Sequence, residues 1–117
     1  MCSSDLVRVL MVGDLTPREF LDQRAQGAPM TLVDVREGWE IELAPVPSPH
    51  LHIPMGQIAE RVGELDPNSA TVVICRSGGR SAEVARFLST HGFGSVFNLV
   101  GGILAWSRDI DPKIPQY

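Results

Sequence analysis

The chain has 117 residues, 44% of them hydrophobic and 21% charged, with a formal net charge of −4. That is the composition of an ordinary globular protein of one-domain size, so a single domain over residues 1–117 is expected and disorder is excluded. With no Lys/Arg run and only four Phe, two Trp and one Tyr, the chain carries no footprint of a nucleic-acid partner or of an anionic membrane surface.

Met1-Cys2-Ser3-Ser4-Asp5 lacks the basic start of a secretory signal, and no stretch reaches the ~20 apolar residues of a membrane span. Two cysteines, Cys2 and Cys75, make no disulfide framework, so a reducing cytoplasm is the expected location. Residues 7–12 read as a first extended stretch. Thr16-Pro17-Arg18-Glu19 then starts a helix, with Thr16 as cap, Pro17 in the first turn and Glu19 completing a capping box, and Gly27 stops it. Met30–Val35 reads as a buried parallel strand. Residues 43–54 hold four prolines that exclude helix, with room for a short strand at 51–53. Residues 56–65 read as a short amphipathic helix, and Asp66-Pro67-Asn68 as a turn.

Thr71–Ile74 is the clearest strand. Beyond it Ser81, Val84, Ala85 and Leu88 recur at helical spacing, and Gly92 ends that helix. Residues 95–100 form a last strand, and Gly101-Gly102 leads into a helix holding Ile103, Leu104 and Trp106. The tail from Asp109 to Tyr117 is expected to run extended along the surface. Strands alternating with helices predict an α/β fold with a parallel sheet.

The chemistry concentrates between the clearest strand and its helix, in Cys75-Arg76-Ser77-Gly78-Gly79-Arg80-Ser81. Ligands gather at the carboxyl ends of parallel strands, where helix N-termini present unpaired N–H groups. Gly78 and Gly79 let those groups curl into an anion-binding nest, and Arg76 and Arg80 add two cations. A free thiol is only about 3% ionised at pH 7, and this loop favours the anion. A Cys serving only as a small packed hydrophobe would need neither the glycines nor the arginines.

The loop resembles the active-site loop of rhodanese-like domains. Asp34-Val35-Arg36-Glu37, His52-Ile53-Pro54 and Asn98-Leu99-Val100-Gly101-Gly102-Ile103-Leu104-Ala105-Trp106 are similar to the family's other motifs, in the same order and over about residues 15–106. The resemblance implies a five-stranded, mainly parallel sheet with helices on both faces. It also implies a sulfurtransferase in which Cys75 takes a sulfur from an anionic donor such as thiosulfate and passes it, as a persulfide, to cyanide, a thiol or a protein acceptor. No metal or organic cofactor is implied. The proline-rich lead-in to His52 departs from the family pattern, which leaves that wall of the pocket open. The tail Trp106–Pro112, with Pro115 and Tyr117, is similar to the ends of rhodanese domains attached to sulfur-carrier activating enzymes, so a protein-partnered relay is the alternative reading.

Asp34 and Arg36 are expected to form an ion pair steadying the neighbouring loops, with substrate contact as the alternative. His52 reads as a packed residue bonded to backbone, and His50 and His91 as surface residues. Trp39 and Trp106 read as packing residues, Trp39 with the option of lining the pocket mouth. Cys2 has a weak claim as a resolving thiol. No spacing of Cys, His and carboxylates marks a metal site. A cysteine phosphatase or arsenate reductase is the nearest enzymatic rival, but only four residues separate Cys75 from Arg80, a cradle suited to a sulfur atom rather than a phosphate.

Overall fold

The computed structural model describes residues 12–117. The extended stretch expected at 7–12 lies, Val12 aside, outside the described residues, as does Cys2. Five strands, β1 (Gly13–Leu15), β2 (Met30–Asp34), β3 (Leu51–His52), β4 (Ala70–Ile74) and β5 (Val96–Leu99), form one sheet in the order β1-β5-β4-β2-β3. Every pairing is parallel. All carboxyl ends therefore open on one edge, and the segments after Asp34, Ile74 and Leu99 meet there.

The pleat divides the core. Val33 and Val73 point to one face, where they pack with Ile58, Leu65, Val84, Ala85 and Leu88. Leu32, Val72 and Ile74 point to the other, against Phe20, Leu99, Ile103 and Trp106. The first face is covered by α3 (Ile58–Arg61) and α4 (Gly79–Ser89), the second by α1 (Pro17–Ala25) and α5 (Gly102–Asp109). Helices cover both faces, as the resemblance implied.

Thr16 caps α1 in a full capping box: its hydroxyl accepts from Glu19 N–H at 3.1 Å, and Glu19 Oε1 accepts from Thr16 N–H at 2.9 Å. Two expectations are corrected. The helix read at 56–65 is three short pieces, 3₁₀ turns at Met55–Gln57 and Val62–Glu64 around α3. Gly56 and Gly63 weaken a continuous helix there, while buried Ile58 and Leu65 still hold the segment to the sheet. The tail does not simply run along the surface. Ile114 is buried in the second cluster, Ser107 Oγ donates to its carbonyl at 2.6 Å, and the chain turns back toward the open edge of the sheet.

A further short helix, α2 (Gly38–Leu43), precedes the prolines. Glu37 N–H donates to Glu40 Oε2 at 2.9 Å across its first turn. No helix among the described residues is long and apolar enough to cross a membrane.

Candidate active site

Cys75 follows the last residue of β4 and is buried, 1% exposed, on the α3/α4 face of the sheet. Three residues later Gly78 takes φ 109°, a left-handed turn that sends the chain into α4 and that an L side chain would strain. That turn aims Gly78 N–H at Cys75 Sγ, 3.1 Å away. Ser81, in the first turn of α4 and fully buried, brings its Oγ to 3.3 Å from the sulfur.

The opposite side of the loop is held by α5. Ile103 N–H donates to the Cys75 carbonyl at 2.9 Å and Leu104 N–H to that of Arg76 at 3.1 Å. A peptide N–H points away from its C=O, so fixing these two oxygens on α5 turns the Arg76 and Ser77 N–H groups to the other side. The approach is close: a Cβ on Gly102, at φ 57°, would overlap the main-chain oxygens of Cys75 and Arg76. The motif 98–106 therefore serves the loop as its buttress.

Neither arginine of the loop stands free. Arg80 Nη1 and Nη2 donate to Glu40 Oε2 and Oε1, both at 2.8 Å, tying α4 to α2. Arg76, exposed, donates through Nε and Nη2 to the main-chain oxygen of Tyr117, and its guanidinium lies 5.2 Å from the Tyr117 ring centroid. The Tyr117 hydroxyl donates to Glu40 Oε1 at 2.8 Å and accepts from Arg36 Nη1 at 3.0 Å. Arg36 is itself wholly buried, forked onto Asp34 at 2.8–3.1 Å, and its Nη2 also donates to the Ala44 carbonyl at 2.9 Å. Asp34 and Arg36 thus brace the segment around α2, and no hydrogen bond runs from them to Cys75.

The sequence model of the rhodanese-like domain matches residues 16–109. The chain belongs to the rhodanese-like family. Among its relatives is a sulfurtransferase of Allochromatium vinosum, 36% identical over 98 residues, 84% of this chain and 91% of that protein. An adenylyltransferase and sulfurtransferase (MOCS3-1) of Zea mays is 34% identical over 110 residues, 88% of this chain but only 23% of the maize protein. The chain spans less than a third of the length of the longer plant proteins it matches. In structure it is similar to a rhodanese-like domain protein of Staphylococcus aureus, with TM-score 0.74 and 28% identity over 81% of this chain and 91% of that one.

In this rhodanese-like domain the charge at the sulfur is set by hydrogen bonds. Burial pushes the Cys75 thiol up, but the Ser81 hydroxyl and the main-chain N–H groups of Ser81, Gly78 and Ser77 together bring it below the ordinary thiol range. Arg76 and Arg80, expected to add two cations to the loop, are each paired, Arg80 with Glu40 and Arg76 with the Tyr117 main-chain oxygen. Glu40, held by Arg80 against the cost of burial, lies at about 2, and Arg80 is raised in turn.

Glu40, Tyr117 and Asn98 were missed from sequence. Glu40 had a signal, the three-residue spacing from Glu37 that marks a helix start. Tyr117 had none, because it reaches the site only through the fold of the tail. Asn98 lay within a family motif, yet nothing in that motif shows that its side chain bonds Ser81 Oγ and the Gly78 carbonyl.

His52 Nε2 lies 2.7 Å from the Arg36 carbonyl, a packing role, while His91 is exposed and His50 half-buried. Trp106 is buried. Trp39, read as packing, is 63% exposed and meets Tyr117 edge-on at 6.0 Å. Among the described residues no three His, Cys, Asp or Glu converge as metal ligands. An apolar groove between Met55–Ala59 and α4 contains none of residues 75–81.

Proposed function

We propose that this rhodanese-like domain transfers a sulfane sulfur through a persulfide on Cys75. The observation that carries this reading is the sulfur's setting: a buried thiol with Gly78 N–H at 3.1 Å and Ser81 Oγ at 3.3 Å, held below the ordinary thiol range. Such a cradle raises the fraction of thiolate, which is the nucleophilic form.

In the first step the Cys75 thiolate attacks the outer sulfur of thiosulfate or a similar anionic donor. A new S–S bond forms, the donor's S–S bond breaks, and sulfite leaves with the bonding pair. The negative charge then rests on the outer sulfur of the persulfide, beside the loop N–H groups of Ser77, Gly78 and Ser81 that face Sγ. In the second step a cyanide, thiolate or protein thiolate attacks that outer sulfur, and Cys75 leaves as thiolate. No net oxidation of the protein occurs over the cycle, and no cofactor takes part. Arg76, exposed and bonded to the Tyr117 main-chain oxygen, meets the anionic donor in this reading after it releases Tyr117. Arg80 acts as a positioning residue through Glu40.

A protein acceptor is favoured by the rim of the site, where exposed Trp39 and Leu43 stand one helical turn apart on α2 beside Tyr117. The similarity to the maize adenylyltransferase and sulfurtransferase over 88% of the chain supports sulfur transfer as the activity. A free thiol carrying a labile sulfur suits a reducing cytoplasm.

Treatment with thiosulfate, followed by intact-protein mass spectrometry, is expected to add the mass of one sulfur atom, and Cys75→Ser to abolish the gain. A wild-type protein left unmodified by both thiosulfate and mercaptopyruvate overturns the proposal. Faster discharge to a protein thiol than to cyanide would favour the relay.

A further inference from the structure

Two neighbours compete for the single proton of the Ser81 hydroxyl. Its oxygen lies 3.3 Å from Cys75 Sγ and 2.6 Å from Asn98 Oδ1. The amide of Asn98 is oriented from its other end, where Nδ2 donates to the Gly78 carbonyl at 3.2 Å. A flipped amide would set Oδ1 against that carbonyl oxygen, two acceptors facing each other. Oδ1 therefore faces Ser81, and at 2.6 Å it accepts the Ser81 proton. Ser81 then shows the sulfur only lone pairs, which suit a thiol S–H and offer nothing to an anion.

We infer that Asn98 is a positioning residue that sets the direction of the Ser81 hydroxyl, so that Cys75 must draw the Ser81 proton away from Asn98 whenever its own sulfur becomes charged. The consequence for sulfur transfer rests on the persulfide reading above. In a persulfide the charge sits on the outer sulfur, about 2.05 Å beyond Sγ. Sγ is then uncharged and makes no demand on Ser81, whose proton stays with Asn98. Asn98 thus opposes charge on the empty sulfur and leaves the loaded one alone. This tilts the loop toward the persulfide and keeps the thiolate a stronger nucleophile, since nucleophilicity falls as thiol pKa falls.

The charged and titratable groups around the sulfur are Arg76 of the loop, Arg80 of α4 with Glu40 of α2, Asp34 with Arg36 after β2, and Tyr117 of the tail. None of them hydrogen-bonds the Asn98 or Ser81 side chain, and Asp14 of β1, in register beside Asn98, is a further titratable neighbour.

The test is the ionisation of the Cys75 thiol, followed by thiolate ultraviolet absorbance against pH in the full chain carrying Cys2→Ser. Asn98→Leu is expected to lower the apparent pKa by about half a unit to one unit, the worth of one neutral hydrogen bond. A merely structural role would move it the other way, since losing the Gly78 tether slackens the N–H that bonds the sulfur. Ser81→Ala is expected to raise the pKa, and Asn98→Leu added to Ser81→Ala is expected to produce no fall. A rise or no change with Asn98→Leu overturns the proposal, as does a fall that persists without Ser81. Should Asn98→Leu not fold, the Asn98 side-chain amide signals of the wild type serve by NMR. They are expected to shift with the same midpoint as the thiol, and their failure to move overturns the proposal equally. No sulfur donor enters these titrations, so they stand apart from the persulfide test.

Discussion

Ser81 and Arg80 are neighbours in the first turn of α4, yet only Ser81 bonds the sulfur; both ends of the Arg80 fork go to Glu40. The two therefore separate in their effect on the thiol. Ser81→Ala is expected to raise the Cys75 pKa by about half a unit to one unit, the loss of one hydrogen bond to the anion. Removing the ion pair as a pair, with Glu40→Gln and Arg80→Gln together, is expected to move it less than that. The pH dependence of alkylation of Cys75 in a Cys2→Ser background measures both, and a larger shift from the double variant would restore Arg80 as the source of the charge. Cys75 itself was legible in the sequence because the physics is local: a thiol between a strand and a helix, followed at once by glycines that curl the backbone. The pairing of Arg80 was not legible, since its partner stands 40 residues away and is brought near only by the fold of the chain after β2.

At the level of elements, the site is a loop clamped between two helix N-termini. α4 supplies Ser81 and the Gly78 turn, and α5 fixes the carbonyls of Cys75 and Arg76. Gly102→Ala places a methyl group against those two oxygens in a backbone region that costs an L residue about 1–2 kcal/mol before any clash. The expected loss is at least about 2 kcal/mol, read as a lower midpoint in thermal or urea unfolding, together with a raised thiol pKa as the loop loses its orientation. An unchanged thiol pKa in a folded Gly102→Ala protein would mean that α4 alone shapes the cradle. The strands and the two long helices were legible from their periodicity, because each buries one face or both. The tail was not. Its only deeply buried side chain is Ile114, and with Ile110 it makes just two aliphatic residues among prolines and polar groups, too few for a periodic pattern. Tyr117 nonetheless closes the network, and Tyr117→Phe removes one donor to Glu40 and one acceptor for Arg36. A cost of about 1–2 kcal/mol is expected, as a shift in urea midpoint at constant slope.

Across the whole molecule, the network of Glu40, Arg80, Tyr117 and Arg36 joins α2, α4 and the tail around one carboxylate, and this gives the fold a defined sensitivity to acid. Glu40 is depressed from its ordinary 4.5 to about 2, first by its bonds from Arg80, with burial opposing and the Glu37 and Tyr117 bonds helping. A carboxylate whose folded pKa lies below its unfolded one contributes stability that is complete above about pH 4.5, and that contribution drains away as pH falls toward and through 2. Taken at face value the shift corresponds to about 3 kcal/mol, but the Arg80 side chain is 35% exposed, and solvent screening reduces this to roughly 1–2 kcal/mol. Urea unfolding in steps from pH 6 to pH 2 is therefore expected to show the wild type losing roughly 1–2 kcal/mol more than Glu40→Gln, which starts less stable and has no such charge to lose. The two curves converge toward pH 2 if the network holds the helices together. Parallel curves would mean that the carboxylate is as comfortable in the unfolded chain, and that its pair with Arg80 does not hold α2 to α4.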